Sequence, residues 1–294
     1  MKIDIGALAT RHGLDLAGVA SPILEPQTKD EFLRWLKSKK GPQMKYLERR
    51  VEERLNPLTY FPRVKSILCF GLNYFQGWAQ GKVKLSNYSW TADYHQTLKS
   101  KLLSVKDELG QKYSSEEFRV CVDTSPVLEK YWATQSGIGW QGKNTLVINQ
   151  KLGSQIFLGE ILTSLEASCF KTSPKVSDHC GTCRRCIEFC PTKALEAYSL
   201  DASKCISYWT LEHRGEFTSE TPAFENWVAG CDVCQEVCPW NQKLIPLENL
   251  TVELSQLSKE DLNDENWLQR IESKAVSYVA PESWSRNLNW ISKN

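Results

Sequence analysis

Eight of the chain's eleven cysteines fall between Cys180 and Cys238, and no other feature limits the possible folds as tightly. So many thiols in so short a stretch imply metal, disulfides or catalysis. The first run is Cys180-Gly-Thr-Cys183-Arg-Arg-Cys186-Ile-Glu-Phe-Cys190-Pro191. The second is Cys231-Asp-Val-Cys234-Gln-Glu-Val-Cys238-Pro239. It repeats the ending of the first but lacks one middle cysteine. Cys205 lies between the two runs and is available to supply it.

Compartment decides between disulfides and metal. Lys2, Asp4, Arg11 and Asp15 interrupt the first twenty residues, which breaks any secretory apolar core, and no twin-arginine signal occurs there. The longest apolar runs, such as residues 66–72, fall far short of a bilayer span. The expectation is a cytoplasmic protein with no membrane association, where thiols stay reduced and cysteines mark metal or catalytic sites. A hydrophobic content of 41% and a charged content of 24% suit a soluble globular chain, and a net charge of +1 excludes a global basic field.

The first run has the Cys-x2-Cys-x2-Cys-x3-Cys-Pro spacing of bacterial ferredoxins, whose fourth cysteine serves the other of two clusters. The ligand arithmetic then closes on two [4Fe–4S] clusters. One takes Cys180, Cys183, Cys186 and Cys238; the other takes Cys190, Cys231, Cys234 and, by elimination, Cys205. Structural zinc is the competing reading, since it also uses Cys-x2-Cys pairs. Cys69 and Cys121 sit in apolar strands and read as core residues; Cys169 is left over.

Before the cysteines, helical and extended patterns alternate, which argues for an α/β or α+β domain. Residues 1–20 read as helix then strand, 28–54 as helical, and 64–72 as a buried strand. Residues 91–113 read as an amphipathic helix through Leu98, Leu102, Val105 and Leu109. Residues 118–122 form a strand ending at Asp123, and 126–137 a helix. Residues 145–149 and 155–162 form strands, paired as a hairpin across Gly153. The expected units are 1–168, 169–245 and a helical segment 246–294.

The segment Cys121-Val-Asp123-Thr-Ser-Pro-Val-Leu-Glu-Lys130, followed by Gly137-Ile-Gly-Trp-Gln-Gly-Lys143-Asn144-Thr145, resembles the epoxyqueuosine reductases. So do Trp90-Thr-Ala-Asp93-Tyr94-His95 and Gly153-Ser-Gln-Ile-Phe-Leu-Gly-Glu160. The resemblance covers residues 5–245. It implies an oxidoreductase that reduces epoxyqueuosine to queuosine at the wobble position of tRNA, the last step of queuosine biosynthesis. It implies an α+β protein: an N-terminal α/β domain similar to flavin nitroreductases and cobalamin-processing proteins, a docked ferredoxin-like module with two [4Fe–4S] clusters, and a short helical tail. Cobalamin is expected base-off between the first two. Some members continue into a helical-repeat extension; residues 240–294 resemble only what precedes it.

The resemblance also carries residue roles. Asp123 matches the catalytic aspartate and is the expected proton donor, which requires burial to raise its pKa. The competing reading is a cap for the following helix. Arg54 matches a cobalamin-contacting arginine, against a solvated charge at a helix end. Lys143 and Asn144 follow a glycine-rich turn that lets backbone approach a cofactor, against a plain turn. Ser86 aligns with a position near the cobalt where some members carry cysteine. Val147 and Leu158 are expected to floor the corrin, or simply to fill the core, and Ser207 to touch it from the ferredoxin side. Asp93-Tyr94-His95 is read as helix capping, since the residue where a cobalamin-binding histidine motif needs glycine is Leu98.

The expected partners are the anticodon loop of a tRNA carrying epoxyqueuosine and a low-potential electron donor, with the chain itself monomeric. Lys171, Lys175, Arg184, Arg185, Lys204 and Arg214 are candidate phosphate contacts. Ordinary surface charge is the alternative for each. Two other functions compete: a reductive dehalogenase, and an electron carrier without catalysis or cobalamin.

Overall fold

The computed structural model describes residues 2–38, 40–247 and 252–293. Its centre is a four-stranded antiparallel sheet of β1 (Leu16–Ala20), β2 (Ser66–Asn73), β3 (Phe118–Cys121) and β4 (Ile156–Thr163), in the order β1-β2-β4-β3. The inner strands β2 and β4 are almost wholly buried. That is why their sequences are continuously apolar rather than alternating. Successive side chains still point to opposite faces. Leu68, Phe70, Phe157 and Ile161 meet helices α1 (Ile5–Arg11) and α3 (Tyr94–Lys112) on one side. Ile67, Cys69, Cys121 and Leu162 meet helix α4 (Glu129–Gln135) on the other.

Helix α3 buries Leu98, Leu102, Val105 and Leu109, the stripe expected from its sequence. It lies very close to β4 at Gly159, where a Cβ would come within 2.8 Å of Leu102 Cδ1. Residues 28–54 do not form one helix. Helix α2 (Pro26–Lys37) stops before Gly41-Pro42, and a separate helix Val51–Leu55 follows Arg50, which is left-handed at φ 57°. The hairpin at Gly153 is only partly as expected. Asn149 and Gly153 exchange both backbone hydrogen bonds, but Val147–Ile148 pairs with Trp140–Gln141. Strand β4 runs on to the middle of the main sheet, where it pairs along its whole length with β2 and over four residues with β3.

A separate core joins distant parts of the chain. Lys84–Leu85 pairs in parallel with Trp227–Ala229, and helix α5 (Pro281–Lys293) packs over them through Trp284, Leu288 and Ile291. Asn287 on α5 is fully buried, and its amide donates to the carbonyls of Thr210 (2.9 Å) and Val228 (2.8 Å). Among the described residues, no helix is long and apolar enough to cross a membrane.

Candidate active site and cluster loops

Asp123 lies two residues beyond the end of edge strand β3 and has φ 49°. The left-handed region is uncommon for non-glycine residues, though aspartate enters it more readily than most. The Asp123 N–H donates to Glu129 Oε1 at 2.7 Å. Its Oδ2 lies 3.1 Å from His95 Nε2. His95 Nδ1 in turn sits 2.8 Å from Asp93 Oδ1, which also accepts the His95 N–H at 2.9 Å. Asp93 therefore caps α3, as expected, and simultaneously orients His95. Tyr94 stacks on Phe157 (ring centroids 4.3 Å apart) and on His95 (4.2 Å). The helix-cap reading of Asp123 is corrected: α4 begins only at Glu129, and its N-cap Leu128 makes no side-chain cap bond.

Charge and burial act in opposite directions on this group. Burial lowers the His95 pKa, but the bonds to Asp123 and Asp93 outweigh it and leave the value raised. Burial pushes the Glu129 carboxyl up to about 7, with the Asp123 N–H opposing and the Asp123 charge adding to the rise. Beneath lies Glu160 on β4, fully buried between Cys69 and Cys121 on the flanking strands, with neither carboxyl oxygen hydrogen-bonded. Burial, and then Glu129, raise its pKa well above the ordinary carboxylate value. The Asp123 side chain is itself 50% exposed. The burial expected of it is not supplied by the protein alone.

Arg54 belongs to this group. Its Nε is buried without a partner, and its charge is felt together with those of Tyr46, Glu129 and Asp123. Tyr46, Glu212 and Tyr278 also lie within electrostatic reach of Asp123, and both tyrosines are exposed. Sequence reasoning missed these three, which no local motif marks. It also missed the His95–Asp123 contact, although the Asp93-Tyr94-His95 triplet was a visible signal.

The other candidates lie elsewhere. Lys143 Nζ donates to the carbonyls of Gly181 (2.5 Å) and Cys183 (2.9 Å), and Asn144 Nδ2 to that of Cys234 (3.5 Å). The glycine-rich turn thus grips both cysteine loops. Ser86 Oγ donates to Asp232 Oδ1 at 2.6 Å in a buried network. Asp232 also accepts from Gln235, which accepts from Ser154 Oγ; Asn241 bonds Ser154 from the same side. Val147 is buried in the core beside α4, Leu158 is packed against it, and Ser207 precedes the turn Tyr208–Glu212. Of the phosphate candidates, Lys171 pairs with Asp4 (2.8 Å), Lys204 with Asp201 (3.3 Å), Arg184 with Glu188 and Lys175 with Glu25 (both 3.7 Å). Arg214 donates to the carbonyl of Leu211. These ion pairs are exposed and weak, so they can be exchanged.

The cysteines divide into two neighbourhoods. Burial raises Cys186 to about 11, and Cys238, Cys180 and Cys183 add to it. Burial likewise raises Cys234 and Cys231, with further contributions from Cys205 to both and from Cys190 to Cys231. Cys186 also reaches Cys234, so the neighbourhoods adjoin. Among the described residues, no three His, Cys, Asp or Glu side chains converge as tightly as a single ion requires.

A scaffold of helices packed on an antiparallel sheet, with an acid–imidazole pair and two adjoining groups of thiols on gripped loops, is the layout of a redox protein built around metal clusters. Comparison with known proteins agrees. Residues 179–241 match the family described as 4Fe-4S double cluster binding domain, and residues 54–124 the family described as Epoxyqueuosine reductase QueG, DUF1730. An epoxyqueuosine reductase of Cellulophaga algicola is 35% identical over 298 residues, covering 98% of this chain and 96% of that protein. The chain belongs to the epoxyqueuosine reductase family and is an oxidoreductase. The solved epoxyqueuosine reductase of Streptococcus thermophilus superposes with a TM-score of 0.87 at 25% identity, over 98% of this chain and 79% of that one. Another, solved with an epoxyqueuosine-modified tRNA-Tyr stem loop, gives 0.84 at 26% identity over the same shares. A reductive dehalogenase whose structure is described as suggesting a B12-dependent mechanism shares the fold, with a TM-score of 0.51 at 15% identity over 98% of this chain and 35% of that one.

Proposed function

We propose that the chain reduces epoxyqueuosine to queuosine at the wobble position of tRNA, with electrons passing through two [4Fe–4S] clusters and a proton from Asp123. The observation that carries this is the Asp93–His95–Asp123 chain at the end of β3, in a domain that holds both cysteine loops through Lys143 and Asn144. The clusters take the crossed ligand sets: Cys180, Cys183, Cys186 and Cys238 for one, Cys190, Cys205, Cys231 and Cys234 for the other. The division of charge neighbours among the thiols supports that pairing.

Converting an epoxide to an alkene and water takes two electrons and two protons. Clusters deliver electrons singly, so a second cofactor must collect them. Base-off cobalamin fits the residues present, since the buried, unpartnered Arg54 Nε is a donor awaiting an amide or phosphate oxygen. Arg54 would hold it beside Asp123. When bound, it supplies a cobalt centre that handles single electrons and bonds carbon. The protein's own residues manage the protons. Asp123 presents its carboxyl to the departing oxygen, and His95, made basic by two carboxylates, keeps it oriented and resupplied. Cofactor and substrate complete the burial that the half-exposed Asp123 lacks.

The units 1–168, 169–245 and 246–294, with the nitroreductase-like character of the first, belong to the same proposal. Two hydrophobic cores drawn only from residues 3–170 support the first unit. The partners proposed are an epoxyqueuosine-bearing anticodon loop and a low-potential electron donor, acting on a cytoplasmic monomer. Anaerobic turnover of epoxyqueuosine-containing tRNA with a low-potential reductant tests the reading. Appearance of queuosine supports it. Its absence with both clusters and cobalamin loaded refutes it, and two clusters with no cobalamin binding leave an electron carrier.

A further inference from the structure

We infer that Glu129 is the positioning residue of the catalytic loop: its carboxyl oxygen receives the Asp123 N–H and fixes the direction in which the Asp123 carboxyl points. This deepens the proposed function and rests on Asp123 being the proton donor. Residues 122–128 bridge β3 and α4 with little internal support. Their own backbone bonds are two tight turns, Thr124 N–H to Val122 O and Val127 N–H to Ser125 O. Pro126 and Val127 are buried and anchor the far half, whereas Asp123 and Thr124 are exposed. Asp123 also holds φ 49°, left-handed backbone that aspartate tolerates better than most non-glycine residues.

Restraint comes from a rigid element. Glu129 is the first residue of α4, which is seated on the sheet through Trp132 and Ala133. Its Oε1 accepts the Asp123 N–H at 2.7 Å. His95 holds the side chain of the same residue from α3. Asp123 is thus clamped twice, its peptide by Glu129 and its carboxyl by His95. A carboxyl oxygen accepts an N–H whether the acid is charged or neutral. The clamp therefore needs an acceptor of this reach and not a charge, and glutamine supplies one. A reacting group displaced by about an ångström loses rate far more than it loses substrate affinity.

The test compares wild type, E129A, E129M and E129Q as full-length protein loaded with both clusters and cobalamin, turning over an epoxyqueuosine-modified tRNA stem loop. E129M preserves side-chain volume and removes the acceptor, so it decides the matter where E129A leaves a damaging cavity. The expected result is a kcat lower by ~10- to 100-fold in E129A and E129M, the loss of one strong hydrogen bond. KM stays within about twofold of wild type, and E129Q recovers most of the rate. Hydrogen exchange at the Asp123 amide accelerates in E129A and E129M but not in E129Q. An E129M enzyme with wild-type kcat overturns the inference, and so does an E129Q enzyme as slow as E129M, because then the proton of Glu129 matters rather than its acceptor oxygen. Failure of the wild type itself to reduce the substrate refutes the proposed function instead.

Discussion

His95 Nε2 lies 3.1 Å from Asp123 Oδ2, joining the first turn of one helix to the end of an edge strand 28 residues away. The ring is fixed from its other side by Asp93. Two carboxylates on one imidazole raise the pKa of His95 above its ordinary value.

This arrangement predicts a pH dependence. A histidine whose folded pKa is raised contributes fully below its unfolded value and loses the contribution as pH rises through the folded value. The alkaline limb of kcat against pH therefore reports His95, with Asp93, Asp123, Tyr94 and Glu129 as the groups facing it. In Asp93→Asn the helix cap survives, because asparagine caps as well as aspartate. One carboxylate is gone, so the limb moves to lower pH. A pH–rate profile unchanged by D93N contradicts the assignment.

The proposed crossed cluster ligation predicts unequal consequences for single cysteines. Cys205→Ala removes a ligand of the second cluster only, so iron falls from about eight toward about four per chain while the other cluster persists. Cys183→Ala does the converse. Iron analysis with electron paramagnetic resonance of the reduced protein checks both. Loss of both clusters from C205A with the fold intact counts against the pairing.

Asn287 predicts stability. Replacing it with leucine leaves the Thr210 and Val228 carbonyls buried without a donor. An unsatisfied buried acceptor costs about 1–3 kcal/mol, so N287L lowers the denaturation midpoint by the equivalent of a few kcal/mol. The cysteine loops sit partly on other contacts, so cluster absorbance per folded chain is retained. A midpoint unchanged in chemical denaturation is the contrary result.

Loop docking predicts an effect on electron delivery. Lys143→Ala removes two bonds to the loop of Cys183 without touching Asp123. Reduction of the clusters by an external reductant remains, while turnover with the tRNA substrate slows. Stopped-flow bleaching of cluster absorbance beside product formation separates the two, and equal slowing of both contradicts the docking role.

Much of this was legible in the chain because it is local. The cysteine runs announce themselves by spacing, the need for Cys205 follows from a missing ligand, and the stripe Leu98–Leu109 defines its helix. Tertiary choices were hidden. Strand β4 lies at the sheet centre instead of in the expected hairpin, because the long buried strand β2 and the shorter β3 together offer more pairing and burial than the two residues Val147–Ile148. That Lys143 and Asn144 also hold the two cysteine loops was hidden, because a glycine-rich turn carries no local mark of which distant loop it meets. Asp93 and His95 were correctly read as a helix start. That the same histidine reaches Asp123 depends on how α3 crosses the sheet, which its buried stripe, the Tyr94–Phe157 stack and the close approach at Gly159 set together.

The central claim is that Asp123, held by His95, donates a proton during reduction driven through the clusters. Its most direct test is single-turnover reduction of epoxyqueuosine-modified tRNA by wild type and Asp123→Asn, each loaded with both clusters and cobalamin. The account predicts that D123N binds the RNA and accepts electrons as wild type does, yet forms queuosine ~100- to 10,000-fold more slowly. Queuosine formation at the wild-type rate in D123N would contradict it.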